Sequence, residues 1–462
     1  MKVDFIVLAA GKGKRMGQGD TPKVLLPLAG IPIAQHLLNT ISSLKDSAVR
    51  MVVGYKANQV RSSLKVKRNT KWATQKNQLG TAHAVKQAVP FLRKGSIAVI
   101  LYGDVPLVSL KTIKSLIRVT TRKSIGVLTF QTENPKGYGR IIRGDDKNIA
   151  AIVEEKDASL AERAIKEVNS GIIAVQSSVL GPLIEKVNNK NAAKEYYLTD
   201  IISIASKQGI AAIPLRLEDG SELLGANTPL ELHNLERIYQ INLANSLIKG
   251  GVGIADANRV DIRGGLNASK GSFIDINNVF EGQVEIGKGV NIGPNCYIKD
   301  SKIMEGAQIK ANTVIEDSVV GPSSKLGPFA RIRGGTKLDA STELGNFVEA
   351  NRSHVGPLTK AKHLAYLGDT TTGTSVNIGA GTITCNYDGK NKNKTKLKDG
   401  VFVGSNTSLV APVTLSEGSY TGAGSVITKN VPRDNLAIGN CYLVKSEQWE
   451  NFLFIEGDIR SL

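Results

Sequence analysis

The chain has 462 residues, 41% of them hydrophobic, and a formal net charge of +18. That length supports two or more domains with ample core, and three scattered cysteines (Cys296, Cys385, Cys441) exclude a disulfide framework and a zinc-binding spacing. The excess of cations suits anionic partners, but it is spread along the chain, and no aromatic-basic interleaving or reader motif supports nucleic acid.

The first element is an apolar run, Phe5 to Ala10, that empties into "GKGKRMGQG" at 11–19. A strand with this ending delivers its last residues to a phosphate. A dinucleotide fingerprint needs glycines at 11, 13 and 16, and a P-loop needs its second glycine at 16. Met16 breaks both, so a phosphate loop of a third kind is expected. Arg15 and Lys23 follow closely enough to neutralise charge building on a transferring phosphoryl group.

Further candidate strands lie at 50–54, 97–102, 124–130 and 170–175, with helix-like segments such as 80–90 and 109–119 between them. This alternation predicts a mostly parallel α/β sheet with helices on both faces, which binds ligands beyond the carboxyl ends of its strands. "LYGDVPL" at 101–107 is such an end. Asp104 there is either a Mg²⁺ ligand, since magnesium takes one or two protein oxygens plus phosphate oxygens, or a turn former before Pro106.

Residues 228–250 read as one linker helix. Thr228 is a candidate N-cap and Pro229 a first helical residue. Leu232, Leu235, Tyr239, Leu243 and Leu247 recur at helical spacing, and Gly250-Gly251 ends the pattern. This divides the chain into 1–227, 228–250 and 251–462.

From 251 onward the period shortens to six. The aliphatics run Ile286, Ile292, Ile298; then, out of phase by one, Ile303, Ile309, Ile315; then Leu326, Ile332, Leu338, Leu344; and finally Val403, Leu409, Leu415, Thr421, Ile427. This is the hexapeptide signature of a parallel β-helix, with one inward residue per six. Two stretches, 345–366 and 386–400, break the period and are expected to form loops on the binding face. The second carries Lys390, Lys392, Lys394, Lys396 and Lys398, which would present a cationic edge if extended, or a solvated charge run. His363 lies in the first and is a candidate general base.

The segments "LAAGKGKRM", "PKVLLPLAG", "QLGTAHA", "LYGDVPL", "GYGRI", "IVEEKDA", "NSGI" and "EYYLTDII" resemble those of the sugar-nucleotide pyrophosphorylases. With a hexapeptide domain containing "NIGAGTITCNYDG", nearly the whole chain is similar to the bifunctional uridyltransferase–acetyltransferases that make UDP-N-acetylglucosamine. The resemblance implies an α/β nucleotidyltransferase of Rossmann-like, mostly parallel sheet, then a linker helix and a left-handed parallel β-helix. It implies acetylation of glucosamine-1-phosphate by acetyl-CoA, then uridylylation of N-acetylglucosamine-1-phosphate by UTP with Mg²⁺, in a cytoplasmic homotrimer without membrane insertion. The product is a precursor of the bacterial cell wall (peptidoglycan) and of outer-membrane lipopolysaccharide.

Carried over by residue, the resemblance places the nucleotide on Leu8, Ala9, Ala10, Gly11 and Lys23, and the uracil on Gln75, Gly80 and Thr81. The metal falls on Asp104 and Asn227, with Tyr102 and Gly103 in the same motif, and the sugar on Gly139, Glu154 and Asn169. In the second half His363 falls on the catalytic base, with Glu349 orienting it. Arg333, Asn351, Tyr366, Asn377 and Lys392 fall on the acceptor sugar phosphate, and Ala380, Asn386, Tyr387, Ser405, Ala423 and Asn440 on acetyl-CoA. Two of these positions depart from the family pattern, Asn351 replacing a lysine and Asn440 an arginine, and so does Lys362, which replaces a glycine before His363. The tail after 441 also differs. The competing readings are a monofunctional uridyltransferase whose β-helix is only a trimerisation scaffold, and a non-enzymatic subunit like those of translation-factor exchange. The presence together of Arg15, Lys23, Asp104 and Asn227 speaks against the latter.

Overall fold

The computed structural model describes residues 1–13, 16 and 20–439, and its chain divides into two compact units, Met1–Asn242 and Leu243–Leu462. Arg15, Asn440 and the tail after 441 lie outside the described residues.

The first unit is built on a sheet with the strand path Ala211–Leu217, Ser124–Gln131, Glu167–Gln176, Ile97–Tyr102, Val3–Ala9, Ser47–Val53, Lys71–Thr74. Neighbours are parallel except at Glu167–Gln176, which runs antiparallel to both of its partners. Val3–Ala9 is buried along its whole length because both faces are covered. Phe5, Val7 and Ala9 enter one apolar cluster, while Ile6 and Leu8 enter another. The strand order reverses here: the chain passes from Val3–Ala9 to Ser47–Val53 on one side and returns to Ile97–Tyr102 on the other. A reversal of this kind opens a crevice beyond the carboxyl ends of the two strands.

The strands and helices expected from the sequence are present, with helices at Thr81–Ala88 and Leu110–Arg118. The sequence did not mark the edge strands. Lys71–Thr74 is short and polar, and Ala211–Leu217 contains Pro214, which an edge strand tolerates. Nor did it mark the hairpin Arg140–Arg143 with Ile149–Val153.

A helix spans Pro229–Lys249. Thr228 Oγ1 accepts from the Glu231 amide at 3.2 Å, and Glu231 Oε2 accepts from the Thr228 amide at 3.2 Å, which is a reciprocal capping box. Leu235 is buried in the first unit with Met16, Leu28 and Ile33, while Leu243 and Leu247 pack on the core of the second.

The second unit is a parallel β-helix. Val279 pairs with Tyr297 and Tyr297 with Val314, so successive coils advance by 18 and 17 residues. All the inward positions read from the sequence, from Ile286 to Ile427, are buried. The one-residue phase slip after Ile298 has a physical origin. The corner holding Asp300, which takes the left-handed conformation (φ 42°), joins Tyr297–Lys299 to Lys302–Ile303 with one residue fewer than the Gly334-Gly335 corner. Asp is among the few residues that tolerate this conformation.

The expected break at 345–366 is corrected by the structure. Coiling continues through it: Ala350, Val355, Ala361 and Leu367 point inward, and Leu344 pairs with Ala361. The pattern was hidden because alanine stands at two inward positions. The second break is real but shorter than expected. Cys385 pairs with Val410, an advance of 25 residues, yet Thr395–Leu397 is already back in register with Thr370–Thr372. Lys396 therefore lies on a coil strand and not in a loop.

Ile315 is fully buried in the inward column. Ile315→Ala is expected to destabilise the second unit by about 2–5 kcal/mol in urea titration.

Candidate functional sites

In the first unit the crevice at the strand-order reversal is a cavity of about 410 Å³. Its lining includes Leu8, Ala9, Ala10, Gly11, Lys23, Gln75, Gly80, Thr81, Tyr102, Asp104 and Asn227. The structure thus gathers most of the residues expected on the nucleotide. Gly103 lies beneath, its amide donating to Leu8 O at 2.9 Å.

Met16, which breaks both known glycine motifs, is 3% exposed and packs with Leu26, Leu28, Ile33 and Leu235. Gly13 is left-handed (φ +65°), and a Cβ there would lie 2.7 Å from Lys23 Cβ. The loop and the short 3₁₀ turn Lys23–Leu25 therefore close on each other only with glycine at 13.

The Lys23 ammonium sits between two oxygens. It donates to Asn227 Oδ1 at 2.7 Å and forms an ion pair with Asp104. All three come from different parts of the chain. Asp104 follows the strand Ile97–Tyr102, Lys23 follows the glycine loop, and Asn227 is fixed by the helix cap, its amide donating to Glu231 Oε2 at 2.5 Å. One carboxylate and one amide oxygen aimed at a single cation form a donor set that suits Mg²⁺ completed by phosphate oxygens. Among the described residues no group of three or more His, Cys, Asp or Glu side chains is placed to hold a metal alone.

A second cavity of about 440 Å³ shares Tyr102, Asp104 and Asn227 with the first and adds Lys136, Tyr138, Ser170 and Glu231. Of the residues expected on the sugar, Asn169 donates its amide to Gly139 O at 2.8 Å, and Glu154 accepts from Thr199 Oγ1 at 3.0 Å. Burial raises the Glu154 carboxyl above its ordinary 4.5, against the Thr199 hydrogen bond. Burial, with the Glu154 and Asp104 charges, pushes the Tyr102 phenol up. Sequence reasoning missed Gln78, Lys136 and Tyr138. Gln78 donates to Ala10 O at 2.5 Å and so fixes the strand end. It was legible as the first residue of "QLGTAHA".

In the second unit His363 is exposed and ends the strand Lys360–His363, paired with Asn346. Among the described residues no side chain or carbonyl bonds its imidazole. Ala380, Ser405 and Ala423 recur at its position on the next three coils: Asn406 donates to Ala380 O at 2.7 Å and Gly424 to Ser405 O at 2.8 Å. Coils lie about 4.8 Å apart, so this column of small side chains runs roughly 14 Å from the imidazole, enough for a thin extended chain.

Across the Leu364 corner stands Tyr366, and near it lie two ion pairs, of which one holds Arg333, expected on the acceptor. Arg333 donates to Glu349 Oε1 from Nε at 2.7 Å and from Nη2 at 2.6 Å. Glu349 is therefore engaged by Arg333 and not by His363, contrary to the expectation that it orients the imidazole. Arg352 grips Asp369 with two bonds of 2.8 Å, and Asn386 Nδ2 also donates to Asp369. The Arg352 guanidinium holds Asp369 below the usual carboxylate range, with Asn386 and Lys392 adding to the effect. Asn351 is 3% exposed, and its Oδ1 has no hydrogen-bond partner among the described residues. Asn377 is on another face, between Lys360 and Phe402. Tyr387 and Lys392 bridge the neck of the inserted loop, and Asp388 accepts from the amides of Lys390 and Asn391. The loop is thus a folded turn and not the extended cationic edge that was one expectation.

Residues 5–168 match the MobA-like NTP transferase domain, and residues 262–384 match the GMPPB C-terminal domain. The chain is 46% identical over 445 residues to the bifunctional protein GlmU of Marinobacter nauticus, covering 96% of this chain and 98% of that one. It is 44% identical to that of Acinetobacter baylyi, over 97% and 98%. The chain belongs to the bifunctional GlmU family. The similarity to that of Cupriavidus pinatubonensis, 45% over 97% and 98%, likewise spans both units, so the relatives do not favour the monofunctional alternative.

A carboxyl whose folded-state value is raised weakens the fold as pH rises through that value. Glu154→Gln is therefore expected to raise the melting temperature at pH 7, with the gain shrinking as pH falls toward 4.5. Thermal unfolding at several pH values checks this.

Proposed function

We propose that the chain acetylates glucosamine-1-phosphate with acetyl-CoA and then transfers UMP from UTP to the resulting N-acetylglucosamine-1-phosphate, releasing pyrophosphate. Residues 1–227 carry the uridylyl transfer and 251–462 the acetyl transfer, joined by 228–250. The observation that carries this reading is the junction of two cavities at Asp104 and Asn227, with Lys23 between them. A nucleoside triphosphate in one cavity and a sugar phosphate in the other would meet there.

In that pose the sugar-phosphate oxygen attacks the α-phosphorus of UTP, and the bond to the bridging oxygen breaks as pyrophosphate leaves. No protein nucleophile is needed; positioning and charge neutralisation suffice. Lys23 neutralises the phosphates, with Arg15 as its second cation. Asp104 and Asn227 would hold Mg²⁺, which when bound offsets phosphate charge. Gly139, Glu154 and Asn169 orient the sugar, and Gln75, Gly80 and Thr81 the uracil.

For acetyl transfer, His363 takes the proton of the sugar amine as the amine attacks the thioester carbonyl and the coenzyme A thiolate leaves. A positioned base of this kind contributes about 10²–10⁴-fold. The pantetheine arm lies along Ala380, Ser405 and Ala423; Asn386, Tyr387 and Asn440 are the further acetyl-CoA contacts that the resemblance implies. Arg333, Tyr366 and Lys392 hold the acceptor phosphate, and Asn377, on the face of the Lys360–His363 strand, is the further acceptor contact that the resemblance implies. Arg352, next to Asn351, is held by Asp369 in a two-bond ion pair, as Arg333 is by Glu349, so either guanidinium would exchange a carboxylate for the phosphate. A homotrimer in the cytoplasm completes the reading. It is supported by an exposed apolar ridge beside His363, where Phe329 and Phe347 stack at 5.2 Å and Leu364 follows.

An assay scoring thiol and pyrophosphate release separately tests the division of labour. His363→Ala is expected to lose acetyl transfer by at least about 10²-fold and keep uridylyl transfer, and Asp104→Ala to do the reverse. Loss of both in either variant contradicts it. Restoring the cation with Asn351→Lys is expected to lower KM for glucosamine-1-phosphate by about tenfold, the worth of one charge-assisted hydrogen bond.

A further inference from the structure

Gln75 is 4% exposed and lines the nucleotide cavity, so the orientation of its amide decides what a base meets there. Two partners fix that orientation. Nε2 donates to Gly80 O at 3.1 Å, and a carbonyl can only accept, so the nitrogen end is assigned without ambiguity. Nε2 also lies 3.1 Å from His83 Nδ1. Since Nε2 is a donor, Nδ1 must accept, which places the imidazole proton on its Nε2. Gln87 Nε2 gives one of its two hydrogens to His83 O at 3.2 Å and lies 3.4 Å from His83 Nε2; a neutral ring accepts from only one of the two amides, and the shorter contact, to Gln75, sets the tautomer. Both Gln75 amide hydrogens are thus committed. Its Oε1 receives no hydrogen bond among the described residues.

We infer that His83, on the side of Gln75 away from the nucleotide, is a positioning residue for base selection: it locks the Gln75 amide so that an acceptor and not a donor faces the base. A buried acceptor asks its ligand for a donor. The N3–H of uracil supplies one, whereas N3 of cytosine presents a lone pair that repels Oε1. Turned over, the same amide would offer its nitrogen and favour cytosine. The histidine reaches the base only through Gln75. Its ring also lines a separate cavity of about 420 Å³ behind the helix Thr81–Ala88, with Lys86, Glu185 and Tyr196.

This inference rests on the uridylyl-transfer reading and gives its base selectivity a cause. The test is calorimetric binding of UTP and of CTP to the full chain with Mg²⁺, alongside pyrophosphate release, for the wild type, His83→Ala and His83→Asn. Asparagine places an acceptor oxygen near the position of Nδ1. His83→Ala is expected to lower the UTP:CTP affinity ratio by about three- to tenfold, the size of one neutral hydrogen bond, through KM and not kcat. His83→Asn is expected to restore most of the ratio. An unchanged ratio in His83→Ala, or equal losses for UTP and CTP in both variants, overturns the role of His83 and leaves uridylyl transfer standing. A wild type that binds neither nucleotide overturns both.

Discussion

The first half of the molecule depends on one electrostatic arrangement: an ammonium and two oxygens drawn to a single point at the mouth of the sheet. Lys23, Asp104 and Asn227 are distant in sequence, and each is held by a different device. The glycine loop and its 3₁₀ turn carry the first, a strand end the second, and the cap of a helix the third. The point lies where strand order reverses, so backbone amides, the cation and the oxygens share one crevice. A loose pair of this kind at a surface would contribute little. Here both side chains are less than one-fifth exposed, which strengthens their attraction and keeps the arrangement ready for an incoming polyphosphate.

The second half depends on register. Coils of 17 or 18 residues bring equivalent positions into columns, so a site is written along the axis and not around it. The column above His363 is made of small residues, while the face across the next corner carries the paired charges Arg333–Glu349 and Arg352–Asp369. Both guanidinium groups are neutralised within the chain. Asn351 stands among them as a buried amide whose oxygen finds no described partner, a polar cost carried within the coil.

Much of this was legible in the sequence, for physical reasons that can be named. Burial on both faces gives near-continuous apolar strands, and the six-residue period exposes a solenoid wherever its inward residue is a large aliphatic. The reading failed where those signals fade. Ala350 and Ala361 fill inward positions without looking hydrophobic enough, so a continuous coil was read as a break. The lysines after 389 alternate for two unrelated reasons, a folded turn and then a strand face. The crevice at the strand-order reversal was legible because its residues sit at strand ends. The partner of Glu349 was not, because that pairing with Arg333 is set by coil register, and His363 lies one face away.

The most direct measurement is a structure of the chain with UTP and Mg²⁺ bound. The account predicts the ion on Asp104 and Asn227, with the Lys23 ammonium moved from between them onto the phosphates. A nucleotide bound with its metal elsewhere, and the Lys23–Asp104 pair undisturbed, would contradict it.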